Sequence, residues 1–268
     1  MQKIVFNAHY LMYFDTAIAD YWRALSLPYQ ESMDLLEGDL YVKKASIEYH
    51  SSAIFDDRLD VALRLSRVGN TSMVFTGAIF LGDKQLITSE LIYVFADPAT
   101  QKAKPVPAAL REVLLGFEAG QASHTIKTGT WAELGPDAAK VRLQVFVEEQ
   151  KIPLEMEWDA ADQTAVHAVA YNGLGQPIGT ARLLDDSDDT PLTAKIGRMA
   201  VKRVLRGSNI GRELLSVLIN TARQQGKSKV VLHAQRSAQN FYARSGFEVN
   251  GEPFDEVGIA HIEMIKTI

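Results

Sequence analysis

The sequence predicts an α+β protein built as two successive units, and three observations lead there. One long helical period comes first and is followed by four segments that alternate like strands. A polar stretch near residue 120 interrupts the pattern. Beyond it, helices and strands interleave, and one strand runs through a glycine-bearing turn straight into an amphipathic helix. A chain of 268 residues is long enough for two cores, and 47% apolar with 23% charged residues is ordinary globular composition.

Leu11, Phe14, Ile18, Tyr21, Trp22 and Leu25 repeat at helical spacing, so Ala8 to Leu25 is expected to be one helix with Asn7 as its cap. Strands are expected over residues 40–50, 58–68, 71–81 and 85–96. In the second of these, Val61, Leu63 and Leu65 alternate with Ala62, Arg64 and Ser66. Gly69-Asn70 and Gly82-Asp83-Lys84 supply hairpin turns, which makes the sheet an antiparallel meander. Pro105 and Pro107 open a short helix through Phe117. The first domain is expected to span residues 1–120, a linker 121–129 and the second domain 130–268.

In that second domain the expected order is a helix over 136–149, strands near 165–171, 177–184 and 195–201, and a helix over 211–225. A strand at 229–234, a short helix at 238–244 and a last strand around 261–265 complete it. Asp185, Asp186, Asp188 and Asp189 form an acidic run, read as a solvated hairpin loop.

A net charge of −5 gives no reason to expect nucleic acid as a partner. The absence of cysteine excludes disulfides, thiolate metal sites and a cysteine nucleophile, and it fits a reducing compartment. No apolar run approaches the ~18 residues of a membrane span, so the expectation is a cytoplasmic protein without membrane attachment.

The chemistry concentrates in the segment Arg206-Gly207-Ser208-Asn209-Ile210-Gly211-Arg212. A helix beginning there leaves its first N–H groups unpaired and its dipole positive, which suits a pyrophosphate. Gly207 and Gly211 leave room for phosphate, Asn209 tolerates positive φ, and Arg206 and Arg212 add charge. The segment resembles the Gln/Arg-x-x-Gly-x-Gly/Ala acetyl-CoA loop of the GNAT superfamily, with Asn209 in place of the middle glycine. Gln235, Ala238, Phe241-Tyr242 and Gly246-Phe247 resemble that family's second signature, with Gln235 in place of Asn. Val145-Phe146-Val147, Glu149-Gln150, Glu157, Asp159, Asp162, His167 and Gly251-Glu252-Pro253 are similar to the ElaA-like branch.

This resemblance implies an acyl-CoA donor lying in a V-shaped opening between the strands that end at Val201 and His233. It implies a backbone donor near Met199, Ala200 or Val201 for the acyl oxygen, and Tyr242 as the acid that protonates the departing thiolate. An ammonium with pKa near ~10.4 needs a base before it can attack. Glu149 is the first candidate and His167 or His233 the second. Asp159 and Asp162 are read as binding a cationic substrate or capping a turn. The acceptor is expected to be a small amine or a protein amino group, with no metal required.

Asn7-Ala8-His9-Tyr10, Tyr49-His50, residues 60–66 and residues 71–75 resemble the hotdog fold of 4-hydroxybenzoyl-CoA thioesterase-like proteins. That resemblance implies a thioester site at Asn7, Ala8 and His9 and assembly as a homodimer or tetramer. Counting back along the family pattern puts its catalytic Asp ahead of Met1, so the expectation is either a chain that starts later than the functional protein or a noncatalytic dimerisation or acyl-CoA-binding unit. Two further readings stand beside the acyltransferase: a thioesterase with a regulatory second half, and a nonenzymatic pair of CoA-binding modules.

Overall fold

In a computed structural model, which describes residues 3–185 and 192–268, the chain divides into two compact units, Met1–Ser123 and His124–Ile268. The residues Asp186, Asp188 and Asp189 of the acidic run lie outside the described residues.

The first unit opens with α1 (Asn7–Ala24) and a short α2 (Tyr29–Leu35). Its sheet is β1 (Asp39–Tyr49), β2 (Asp60–Val68), β3 (Ser72–Leu81) and β4 (Lys84–Ala96), antiparallel throughout in the order β1-β4-β3-β2. α3 (Ala108–Glu118) follows. Helix α1 buries Tyr10, Phe14, Ile18, Tyr21 and Trp22, the stripe its 3.6-residue period dictates. The close approach of α1 to the sheet is set by Gly77, where an added Cβ would come within 2.5 Å of the Phe14 ring. A long helix laid on an antiparallel sheet is the hotdog arrangement. The expected cap is corrected: Phe6, in extended conformation, is the N-cap residue with no side-chain bond, because the first turn closes from its carbonyl to the His9 N–H and takes Asn7 into the helix.

The second unit begins within the expected linker. Residues 124–129 form β5 (His124–Gly129), an edge strand paired with β6 (Val166–Asn172). α4 (Trp131–Arg142) starts five residues before the expected Pro136, because Thr130 and Glu133 form a capping box. It continues into a π-helical segment, Leu143–Glu149. α5 (Leu154–Glu157), β7 (Pro177–Asp185), β8 (Thr193–Val201), α6 (Ile210–Gln224), β9 (Lys229–Gln235), α7 (Gln239–Ala243), β10 (Glu248–Val249), β11 (Phe254–Glu256) and β12 (Ile259–Thr267) complete it. Among the described residues these strands make one sheet, β10-β12-β9-β8-β7-β6-β5, with β11 on β12. Leu214, Leu215, Leu218 and Ile219 of α6 pack with Ile178, Ala181, Ile196, Val230 and Leu232 into the main core. This is the GNAT α/β fold.

Candidate active site

The site originates in a break in the sheet. β8 and β9 run parallel but pair only at Thr193–Lys229, Ala194–Val230 and Lys195–Val231. Beyond those pairs the strands separate, and Gly197 and Met199 face His233 and Gln235 across a cleft of about 380 Å³. β8 also bulges: Thr180 pairs with Ala200 but Arg182 with Gly197, so Ala181 opposes both Arg198 and Met199. An extra residue in a ladder is left unpaired and turned out of register. Arg198 takes φ +50°, uncommon for a residue with a side chain. Its guanidinium is fixed by the Glu157 carbonyl at 3.2 Å and the Asp159 carboxylate at 3.1 Å.

After Val201 the chain makes one short turn, Arg203–Leu205, and reaches the α6 terminus. The first helical bond is Glu213 N–H to the Asn209 carbonyl at 3.0 Å. The amides of Ile210, Gly211 and Arg212 therefore precede the ladder, and the Asn209 side chain does not cap them. Gly207 carries the left-handed turn at φ +89°, whereas Asn209 is right-handed at φ −61°. The positive φ expected at Asn209 is thus corrected: Gly207 has already turned the chain. A Cβ on Gly211 would meet Phe241, Met199 and Val201 only at ordinary contact distances, so the fold itself does not require glycine there. Ser208 turns its hydroxyl back to the Leu205 carbonyl.

The two-pronged guanidinium of Arg206 holds Glu149 at 2.6 and 2.7 Å, and its Nε donates to the Val201 carbonyl at 3.1 Å. Glu149 thereby ties the π-helical segment to the turn. It does not line the cleft; the neighbouring Gln150 does, accepting from Gln235 Nε2 at 2.9 Å. The expectation of Glu149 as first base runs against this pairing with a permanent cation.

His167 is buried at 1% exposure, its Nε2 2.9 Å from the Asp162 carbonyl and its ring 4.9 Å from that of Trp131. Burial holds it below the ordinary histidine value. It packs the interior and is not among the residues that line the cleft. His233 does line the cleft. Burial and the Lys195 ammonium press its pKa down, against the pull of Glu256 and Glu263, so the ring is neutral near neutral pH. Tyr242 lines the cleft with its hydroxyl 3.6 Å from the Met199 sulfur, and burial pushes its phenol up to about 12. Ala238 lines the same wall, and Phe241 meets the Tyr242 ring edge-on at 4.9 Å.

Asp159 lines the cleft, and both Asp159 and Asp162 are engaged by arginines. Asp162 is buried and accepts from Arg142 at 2.8 Å and Arg182 at 2.6 Å; Asp159 accepts from Arg182 at 2.7 Å. Glu157 binds Arg142 as well, and its pKa is nevertheless raised because desolvation outweighs the guanidinium. The Arg142 guanidinium lies 4.7 Å from the Trp158 ring and 5.5 Å from Trp131. The sequence reading missed Lys195 and Arg198, although the two-residue period Lys195, Gly197, Met199 along β8 would have placed the lysine on the cleft side.

In the first unit, Asn7, Ala8 and His9 are exposed at the start of α1, with the Tyr49 hydroxyl 3.4 Å from the Asn7 carbonyl. Among the described residues no group of three His, Asp or Glu side chains is placed to hold a metal ion, and no helix is long and apolar enough to cross a membrane.

Comparison with known proteins gives the two halves separate relatives. Residues 134–268 match the profile described as acetyltransferase (GNAT) domain, and residues 2–88 that of the thioesterase superfamily. The uncharacterized N-acetyltransferase YjcF of Bacillus subtilis is 34% identical over 132 residues, 48% of this chain and 90% of that protein. Protein ElaA of Escherichia coli is 34% identical over 132 residues, 48% of this chain and 84% of its own. A crystal structure of a provisionally assigned N-acetyltransferase from Lactobacillus plantarum superposes with a TM-score of 0.50 at 32% identity, over 54% of this chain and 97% of that one.

Proposed function

Because the chain belongs to the GNAT acetyltransferase family, joined to a thioesterase-superfamily hotdog unit, we propose that it moves the acetyl group of acetyl-CoA to an amine acceptor within the β8–β9 cleft. The observation that carries this reading is the three-pair limit of β8–β9 contact, with uncapped α6 amides at the mouth and Tyr242 on the wall. Amides of Ile210, Gly211 and Arg212 take the pyrophosphate, with Gly207 shaping the turn and Arg206 bracing it. The bulge at Arg198–Met199 offers an N–H to the acyl oxygen. His233 accepts the amine proton as the N–C bond forms; the C–S bond breaks and the thiolate takes the Tyr242 proton.

Titration of the full chain with acetyl-CoA, followed by an amine screen for CoA release, tests this. Tight binding with release dependent on amine is expected; release at the same rate without amine would turn the reading toward hydrolysis.

For the first unit we infer an acyl-CoA-binding or self-associating role, supported by the match of residues 2–88 to the thioesterase superfamily. Light scattering checks the expected dimer or tetramer, and a hydrolysis assay on long-chain acyl-CoA tests for catalysis.

A further inference from the structure

At the closed end of the cleft stands a group of charges for which the acyl donor has no use. Lys195 occupies the last paired position of β8, and its ammonium is 3.3 Å from His233 Nε2. One carboxylate lies across the ring from the lysine, Glu256 Oε2 at 3.6 Å from Nδ1, and a second, Glu263 Oε2, is 3.9 Å from Nε2, the nitrogen that also faces Lys195. Phe254 closes one side with its ring edge-on to His233 at 4.9 Å.

Lys195 differs from the other cations of the cleft. Arg182 and Arg198 each hold a carboxylate, but among the described residues none lies within ion-pairing distance of Lys195. A half-buried ammonium without a counter-ion is costly, and it attracts an anion into the cavity it faces. The donor's phosphates cannot be that anion. From Val201, beside the α6 terminus, to Lys195 is six residues of strand, on the order of 20 Å. Met199, where the acyl carbonyl would rest, lies between the two ends.

We propose that the acceptor is an amine that also bears a carboxylate, an amino acid of the α or short ω type. Lys195 receives the carboxylate, and Glu256, on the Nδ1 side of His233 and in the cleft lining, receives the ammonium, whose proton passes to the imidazole. This rests on the acyl-transfer reading and narrows its acceptor to one chemical class. Opposite charges flanking one base hold a zwitterion in a single orientation, whereas a simple amine would place nothing on Lys195.

The test measures acetyl-CoA-dependent CoA release with free amino acids, their amides and their decarboxylated amines. At least one free amino acid is expected to show a KM about tenfold below those of its amide and amine, the scale of one desolvated charge pair. Lys195→Met should raise KM for that acid by about tenfold and collapse the preference, with Lys195→Arg restoring part of it. Amides or plain amines used as well as the acids by the unaltered protein would overturn the proposal while leaving acyl transfer intact. Equal loss on all three classes in Lys195→Met would overturn it too. Failure to bind acetyl-CoA in a parallel titration, or turnover of no amine at all, would instead remove the acyl-transfer reading and this inference with it.

Discussion

Arg206 donates to both carboxylate oxygens of Glu149, at 2.6 and 2.7 Å, so the residue that opens the turn before α6 is clamped to the last residue of the π-helical segment. The pair is partly exposed, and such pairs are individually weak. Glu149→Gln should therefore raise KM for acetyl-CoA by only about threefold and leave kcat nearly unchanged. A large fall in kcat would return Glu149 to the role of base.

In the proposed transfer Tyr242, on the cleft wall, is the acid for the departing thiolate. Tyr242→Phe keeps the ring packing against Phe241 and Phe247 and removes only the proton. Steady-state kinetics should show kcat reduced about 100-fold with KM for acetyl-CoA little altered. With its phenol pushed up to about 12, Tyr242 should impose no loss of rate at pH 8 to 9, conditions well below that value.

The sign of the acid limb follows from His233. Burial and Lys195 lower its pKa, so the unprotonated base is present at neutral pH and is lost as the pH falls below the ordinary histidine range. A profile of kcat/KM against pH should rise through that low limb to a plateau. His233→Gln should abolish the limb and lower the plateau about 100-fold. An unchanged limb in the variant would assign it to another group.

Arg142 is 1% exposed and serves Glu157 and Asp162 at once. Removing one partner of such a network strands the others, at a cost of about 3–5 kcal/mol. Arg142→Met should shift the urea midpoint of the second unit sharply downward, followed by the fluorescence of Trp131 and Trp158, whose rings flank the guanidinium. A midpoint within error of the unaltered protein would show the network to be dispensable.

Residues whose role is local were legible in the sequence. The stripe from Phe14 to Trp22, the alternation in β2 and the Leu214–Ile219 face of α6 each follow from one period read along a continuous segment. The turn from Arg206 into α6 is legible likewise, because its neighbours in sequence carry the signal. Strand β5 was not, since an edge strand with Ile126 as its one large apolar residue reads as a polar connector. The π-helical register of 143–149 leaves no mark in residue types. The pairing of Glu149 is illegible for a related reason: its partner comes from elsewhere in the chain, Arg206 being 57 residues away. A carboxylate looks free in a sequence until folding brings it a guanidinium.

The early parting of β8 and β9 has an effect on handling as well as on chemistry. A seam inside a sheet leaves two facing rows of backbone without strand partners, the same hazard that an outer strand poses when it recruits a neighbour. Any extended molecule seated along the seam closes both rows together. Solubility and storage lifetime of the purified protein should accordingly improve when donor is kept in the buffer, through mass action on the closed form.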